Sequence, residues 1–173
     1  MKNLFKLLGL LLLSFSLTNS IYAQVGYIQP SPTSPDDEVT LFIDINQSQD
    51  GLQNNALSAM LDVMPDTTHV YLWAWNPSSP MAGNGEWTAS NEAMKLNRIG
   101  PKLYSMTFVP TEFFDIEGAE LYASGISCLA KLKDGSPIDG FEGEPKTEDL
   151  YIPIVPKLCD EVICVFPEVR RAD

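Results

Sequence analysis

One segment of the chain alternates strictly between two kinds of side chain. Residues 69–75 read His-Val-Tyr-Leu-Trp-Ala-Trp. Successive side chains of a β-strand point to opposite faces of a sheet, so this pattern predicts a strand with an aromatic face and an aliphatic face. The aromatic face carries His69, Tyr71, Trp73 and Trp75, and the aliphatic face carries Val70, Leu72 and Ala74. If the aliphatic face packs in the core, the aromatic residues lie outside and are functional; if they lie inside, they are structural.

Other segments read as strands separated by turn signals. They are residues 39–45, 94–99, 103–109, 126–133, 150–155 and 161–166. Gly100-Pro101-Lys102 between two of them predicts a hairpin. About seven short strands without a sustained helical repeat predict an all-β fold, an antiparallel β-sandwich. Residues 53–63 have apolar side chains at helix-like spacing, which predicts either a short helix or an ordered loop.

The N-terminus has the pattern of a secretory signal. Lys2 and Lys6 precede an apolar run that is too short to span a bilayer, and Ala23 ends a small-residue site. We expect cleavage after Ala23 and a protein that is secreted, periplasmic or at the cell surface; the alternative is an uncut N-terminal anchor. No cysteine lies near the end of the apolar run to carry a lipid. The mature protein is therefore expected not to insert into a membrane.

The predicted organisation has four parts. They are a signal peptide at 1–23, a proline-rich lead-in at 24–38, a β-sandwich domain at 39–166 and a tail or linker at 167–173. The lead-in contains prolines that cannot pair inside a central strand, so we expect a linker or an edge. The tail has the same character as the lead-in, which suggests the first module of a longer protein or a fragment of one.

Three cysteines in an exported chain favour disulfide formation. Cys159 and Cys164 can form a local bridge if a tight bend joins them, and Cys128 can instead bridge to either across neighbouring strands. Both alternatives stay open. The odd number leaves at least one cysteine outside an intrachain pair.

Composition excludes several classes of function. The chain of 173 residues has a formal net charge of −12, and loss of the predicted signal makes it −14 because two lysines leave with it. Such a field repels phosphate backbones, so we expect no nucleic-acid partner. One histidine and no Cys-x-x-Cys pair argue against a zinc site.

Catalytic motifs are absent from the sequence. It contains no Gly-x-Ser-x-Gly nucleophile elbow and no glycine-rich loop followed by lysine. His69 is expected to be a packing residue rather than a base. The acidic residues Asp134, Asp139, Glu142 and Glu144 do not have calcium-loop spacing and are expected to form a solvated turn. We therefore predict a non-catalytic protein without a metal or cofactor.

The tryptophans provide the sharpest functional signal. Sugar rings have apolar faces that stack on indoles, while neighbouring amides and carboxylates bond the hydroxyl groups. The predicted ligand-binding residues are Trp73, Trp75 and Trp87 with Asn76, Asn84 and Glu86. Tyr71 and Tyr104 are candidates to extend this surface.

The order of these features resembles a known type of module. The segments that carry the resemblance are Asp37 to Asp44, Val70 to Trp75, Trp87, Met94 to Leu96, Leu103 to Pro110 and Lys131 to Gly135. Through them the chain resembles immunoglobulin-like, starch-binding-type β-sandwich modules of secreted proteins in glycan-degrading Gram-negative bacteria. The resemblance implies an immunoglobulin-like fold and stacking of an aromatic pair on an α-glucan. It places the stacking residues at Trp73, Trp75 and Trp87.

The expected function is therefore capture of a polysaccharide or oligosaccharide by aromatic stacking. The alternative is a structural or protein-interaction module of a cell-surface assembly, in which the aromatic residues are core and a protein partner meets an edge strand or loop.

Overall fold

The computed structural model describes residues 24–157. The predicted signal at 1–23, the predicted strand at 161–166, the predicted tail at 167–173, Cys159 and Cys164 lie outside the described residues. The strands are β1 (Gly26–Gln29), β2 (Val39–Asp44), β3 (Val70–Asn76), β4 (Gly85–Glu86), β5 (Ala89–Ser90), β6 (Asn97–Gly100), β7 (Leu103–Phe108), β8 (Ile126–Leu132) and β9 (Leu150–Ile152).

The strands form antiparallel sheets, so the all-β prediction is confirmed. One sheet has four strands in the order β1-β2-β7-β6, another has three in the order β3-β8-β9, and β4 and β5 form a two-stranded hairpin. The predicted hairpin around Gly100-Pro101-Lys102 is found as β6 and β7.

The core lies between the two larger sheets. Alternate residues of β2 are buried, and β3 and β8 bury their aliphatic side chains in the same cluster. Leu41 and Ile43 on one sheet, and Leu72 and Ile126 on the other, are completely buried. This arrangement follows from the period-two pattern, because each strand places its apolar residues on one face.

Three short helices join the strands. They are α1 (Leu57–Val63), α2 (Pro110–Phe114) and α3 (Gly118–Ser124). Residues 53–63 therefore contain a helix rather than only a loop, and Leu57 and Met60 anchor it in the core. Pro110 is the first residue of α2. The backbone N–H of a first helical residue has no hydrogen-bond partner within the helix, so the absence of this N–H in proline costs nothing at that position. None of the helices between residues 24 and 157 combines the length and the apolar character that a membrane span requires.

Part of the predicted lead-in belongs to a sheet. Gly26–Gln29 pairs with β2 as the edge strand of the four-stranded sheet, with Tyr27 opposite Phe42. The prolines follow this strand, where they interrupt no ladder, and the amide of Thr33 donates to the carbonyl of Val155.

Candidate functional site

The aromatic face of β3 points away from the core. Val70, Leu72 and Ala74 are all completely buried, and they belong to the cluster between the sheets. Tyr71, Trp73 and Trp75 therefore lie on the outer face of the three-stranded sheet. Their exposure rises along the strand from 1% for Tyr71 through a half-buried Trp73 to 40% for Trp75.

A covering segment, residues 84–95, lies against the first part of this face. It contains β4, β5 and a 3-10 helix at Glu92–Met94. The hydroxyl of Tyr71 donates to Oε1 of Glu92 at 3.1 Å, and Glu92 also forms an ion pair with Lys133. The hydrogen bond from Lys133 is the main cause that lowers the pKa of Glu92, and the bond from Tyr71 is the second. Burial is the main cause that raises the pKa of Tyr71, and its bond to Glu92 is the second. These contacts cover the ring of Tyr71, so it offers little surface for stacking.

Trp73 and Trp87 meet in the middle of the face. Their ring centroids are 5.2 Å apart at an interplanar angle of 79°, which is an edge-to-face pair. The indole N–H of Trp87 donates to the carbonyl of Gly135 at 3.0 Å. Both rings are half-buried. Because the two rings are almost perpendicular, they do not form one flat platform, and this pair packs the covering segment onto the sheet.

The ammonium of Lys131 lies beneath the indole pair. It is 4.9 Å from the ring centre of Trp87 and 5.5 Å from that of Trp73, within the range of a cation–π interaction. It also donates to Ser90 Oγ, Leu132 O and Lys133 O. Lys131 is completely buried, and burial lowers its pKa to about 8 despite the opposing effect of Asp134. No sequence pattern predicts this buried cation, because a lysine in an alternating strand normally faces solvent.

Trp75 lies at the open end of the same face. The pairing register between β3 and β8 shifts between Ala74 and Asn76, so Trp75 is the additional residue of a β-bulge. A bulge bends the strand and re-aims the side chain that it carries. Trp75 is consequently the most exposed of the three tryptophans, and the covering segment leaves its side chain accessible.

Tyr151 shares this open end. Asn76 on β3 pairs with Ser127 on β8, and Ser127 pairs with Tyr151 on β9. Neighbours of Tyr151 on β9 are buried, whereas Tyr151 itself is 57% exposed. Adjacent strands lie about 4.8 Å apart, so the strands that carry Trp75 and Tyr151 are separated by roughly 10 Å across the sheet. We name Trp75, Asn76, Ser127 and Tyr151 the open patch.

Sequence reasoning missed Tyr151 and Ser127. The alternation Leu-Tyr-Ile at 150–152 was a usable signal for an outward tyrosine. Only the sheet order places that tyrosine two strands from Trp75.

The polar residues predicted from sequence have different positions. Asn84 is buried, and its side chain accepts from Ala74 N at 3.0 Å and donates to Ala74 O at 2.7 Å, as a neighbouring strand would. Asn76 is half-buried and donates to Ser124 O, whereas Glu86 is exposed in β4. Asn84 therefore supports the edge of β3, and Asn76 is the one of the three that belongs to the open patch.

Two other aromatic candidates lie away from the open patch. Tyr104 is 3% exposed in the core of the other sheet, where burial raises the pKa of its hydroxyl, so it does not extend the surface. His69 is exposed just before β3 and, with Tyr71, borders an open cleft of about 450 Å³. Met64, Leu132, Pro137 and Ile138 provide most of its apolar wall.

The remaining candidates concern disulfide and metal chemistry. Cys128 is completely buried on the inner face of β8, and burial raises the pKa of its thiol to about 12. Of the acidic residues at 134–144, Asp134 accepts from the amide of Ser136, and Glu144 forms an ion pair with Lys146 at 3.7 Å. Between residues 24 and 157 no three acidic, cysteine or histidine side chains converge as a metal site.

Comparison of the chain with protein-family models, with curated proteins and with solved structures gives no significant match. The resemblance to starch-binding-type modules therefore stays a prediction, and the function is argued from the geometry of the open patch.

Proposed function

We propose that the protein is an exported, non-catalytic glycan-binding module that stacks sugar rings on the open patch. The single observation that carries the proposal is the outward orientation of the β3 aromatic face, with a bulge that leaves Trp75 40% exposed while the aliphatic face is sealed. A large indole exposed beside a second exposed ring indicates a binding surface rather than packing.

The open patch suits a carbohydrate in shape and chemistry. Trp75 and Tyr151 carry two apolar rings on strands about 10 Å apart, and a short oligosaccharide can span strands at that separation. Ser127 lies on the strand between them and supplies a hydroxyl for sugar hydroxyl groups. Asn76 follows Trp75 on β3; its amide nitrogen donates to Ser124 O, and its amide oxygen can accept from a sugar hydroxyl. None of the four side chains of the patch is charged. A neutral polysaccharide, with α-glucan the form implied by the resemblance, is the proposed ligand.

The proposed fold is an immunoglobulin-like β-sandwich. Four strands on one side of a single core and three on the other, all antiparallel, support this finer classification.

The structural alternative also has an observation in its favour. Trp73 and Trp87 pack on Lys131 and hold the covering segment, which is the behaviour of core residues. Under this alternative a protein partner occupies an edge or loop and no glycan binds.

Titration with soluble polysaccharides tests the proposal. We expect glucan, xylan or mannan to shift and saturate the tryptophan fluorescence of the protein, and we expect the Trp75→Phe variant to bind with reduced affinity and without that shift. A fluorescence change that survives in Trp75→Phe assigns the signal to Trp73 or Trp87. Absence of binding to every polysaccharide by calorimetry contradicts glycan capture and favours the structural alternative, and turnover of a polysaccharide contradicts the non-catalytic assignment.

A further inference from the structure

A second aromatic pair lies on the other sheet. Tyr27 on the edge strand β1 pairs directly with Phe42 on β2. Their ring centroids are 5.2 Å apart and the ring planes differ by only 18°. Alternate residues on both strands are buried, so these two half-buried rings belong to the outer face of the four-stranded sheet. Unlike Trp73 and Trp87, they are close to parallel.

Depressions adjoin both rings. Phe42 borders one of about 550 Å³ together with Gln29, Pro30, Ser31 and Thr40. Tyr27 borders another of about 240 Å³, which also includes Ser31 and extends toward Ile152 and Pro153. Ser31 borders both depressions, so the two lie next to each other beside β1. We name the two depressions together the β1 groove.

The lining of the β1 groove is uncharged. Its residues carry aromatic rings, hydroxyl groups, amides and apolar chains; they are Gln24, Tyr27, Ile28, Gln29, Pro30, Ser31, Thr40, Phe42, Ile152 and Pro153. The chain as a whole has a formal net charge of −12, so a groove of this extent without a carboxylate or ammonium is a distinct surface.

The chemistry of this lining selects one class of ligand. An anionic polymer would meet no cation in the groove, and a cationic one would meet no anion. A purely apolar ligand would leave the amides of Gln24 and Gln29 and the hydroxyls of Ser31 and Thr40 without partners. A neutral, hydroxyl-rich sugar chain satisfies the rings and the polar groups together.

We propose that the β1 groove is a second binding site for a neutral oligosaccharide, on the sheet opposite the open patch. This inference uses no residue of the open patch and holds whether or not the open patch binds. If both sites bind, one molecule holds two glycan segments on opposite faces and cross-links polysaccharide chains. Two sites of this kind raise the apparent affinity for a long polymer without adding contacts to either site.

The test uses calorimetric titration of the full mature chain with neutral soluble oligosaccharides of glucan, xylan and mannan, and with an oligogalacturonate as the charged comparison. The variants are Tyr27→Ala, Tyr27→Phe and Gln29→Ala in the groove, and Trp75→Ala in the open patch. Gln29 is exposed on an edge strand, so its replacement keeps the test valid if Tyr27→Ala fails to fold. Thermal unfolding verifies the fold of each variant.

We expect two neutral oligosaccharides per wild-type molecule and one per Trp75→Ala molecule. In the Trp75→Ala background, Tyr27→Ala is expected to weaken the remaining binding about tenfold, with Gln29→Ala also weakening it and Tyr27→Phe retaining most of it. If the wild type binds one oligosaccharide, and this binding survives Trp75→Ala but is lost with Tyr27→Ala, the result supports the β1 groove and contradicts the open patch.

Three results overturn the inference. They are a single site that Trp75→Ala abolishes, binding at the second site that neither Tyr27→Ala nor Gln29→Ala changes, and equal binding of the charged oligogalacturonate. The first leaves the open patch intact as a binding site, so the two proposals fail separately. Absence of binding to any neutral oligosaccharide overturns both.

Discussion

The ammonium of Lys131 lies 4.9 Å from the ring centre of Trp87. Lys131 belongs to β8, whereas Trp87 lies in the loop of the β4–β5 hairpin. This contact fastens the covering segment to the outer face of the three-stranded sheet, together with the bonds from Lys131 to Ser90 and from Trp87 to Gly135. It therefore decides which part of the aromatic face is closed and which part stays open.

Lys131 should make stability depend on pH in a defined direction. Burial lowers its pKa to about 8 from an ordinary value of 10.5. Between these values the unfolded chain binds more protons than the folded protein, so the free energy of unfolding should rise with pH across this window. Below pH 8 Lys131 is charged in both states and its contribution becomes constant.

Urea unfolding of the wild type and of Lys131→Met between about pH 7 and 9.5 measures this effect. The variant should lack the rise, and the difference between the two curves removes most contributions of other groups. The pKa of Tyr71 is raised in the folded protein, so ionisation of this tyrosine in the unfolded chain lowers the free energy of unfolding as pH rises. An ordinary tyrosine ionises near about pH 10, so measurements below that pH avoid this opposing effect. Parallel curves for the two proteins would show that the pKa of Lys131 is not lowered.

Replacement of Trp75 by alanine should weaken glycan binding at the open patch by about tenfold or more, which corresponds to at least about 1.4 kcal/mol, because one stacking surface is lost. Trp75 lies at the open edge, so the free energy of unfolding should change by less than about 1 kcal/mol. Calorimetry and urea unfolding measure the two quantities. Tyr151→Ala should behave similarly.

Ile99→Ala is the matched control for Trp75→Ala and Tyr151→Ala, since Ile99 is an apolar residue that is 50% exposed on the other sheet. Its affinity should equal that of the wild type. An equal loss of affinity in Ile99→Ala would mean that binding is non-specific adhesion to exposed apolar side chains.

Gly135→Ala should loosen the covering segment. A methyl group at this position would lie 2.5 Å from Nε1 of Trp87 and 2.8 Å from Cε of Lys131, so the indole must move. We expect a loss of stability of about 1–3 kcal/mol and an altered tryptophan emission. At Gly100 the nearest contact of an added methyl group is an ordinary 3.5 Å, so Gly100→Ala serves as the control with little change. Equal stability of the two variants would contradict the close packing on Trp87.

Asn84→Ala should destabilise the fold without acting through ligand contact. Its amide supplies both a donor and an acceptor to the backbone of Ala74 in a buried position. Loss of both bonds is expected to cost about 2–4 kcal/mol in the free energy of unfolding. Asn97→Ala on the exposed strand β6 is the control and should stay within about 0.5 kcal/mol. Should Asn84→Ala keep full stability but lose glycan affinity, Asn84 would have the binding role that its position in sequence first suggested.

Cys128 should resist alkylation in the folded protein. The thiolate is the reactive form, and burial both raises the pKa of this thiol to about 12 and blocks access. Mass spectrometry of the Cys128 peptide after iodoacetamide treatment should show modification only after denaturation. Rapid modification of the native protein would contradict the burial. A peptide that stays unmodified after denaturation without reductant would indicate a disulfide with Cys159 or Cys164.

The sequence was sufficient for the local pattern. The alternation at 69–75 predicted a two-faced strand, and Gly100-Pro101-Lys102 predicted the β6–β7 hairpin, because side-chain period and turn chemistry are properties of neighbouring residues. It did not reveal α3, and it left the lead-in that contains β1 open between a linker and an edge, because short segments have weak periodicity.

What the sequence by itself determined is that β3 has an aromatic and an aliphatic face. Only the tertiary structure decided that the aliphatic face is buried, that the covering segment covers the ring of Tyr71, and that Tyr151 joins Trp75 at the open end of the face. The physical reason is that the solvent exposure of a side chain depends on which distant segments pack beside it. Trp73 and Trp75 are both tryptophans on β3. The hairpin that carries Trp87 nevertheless contacts Trp73, whereas a β-bulge turns Trp75 toward solvent.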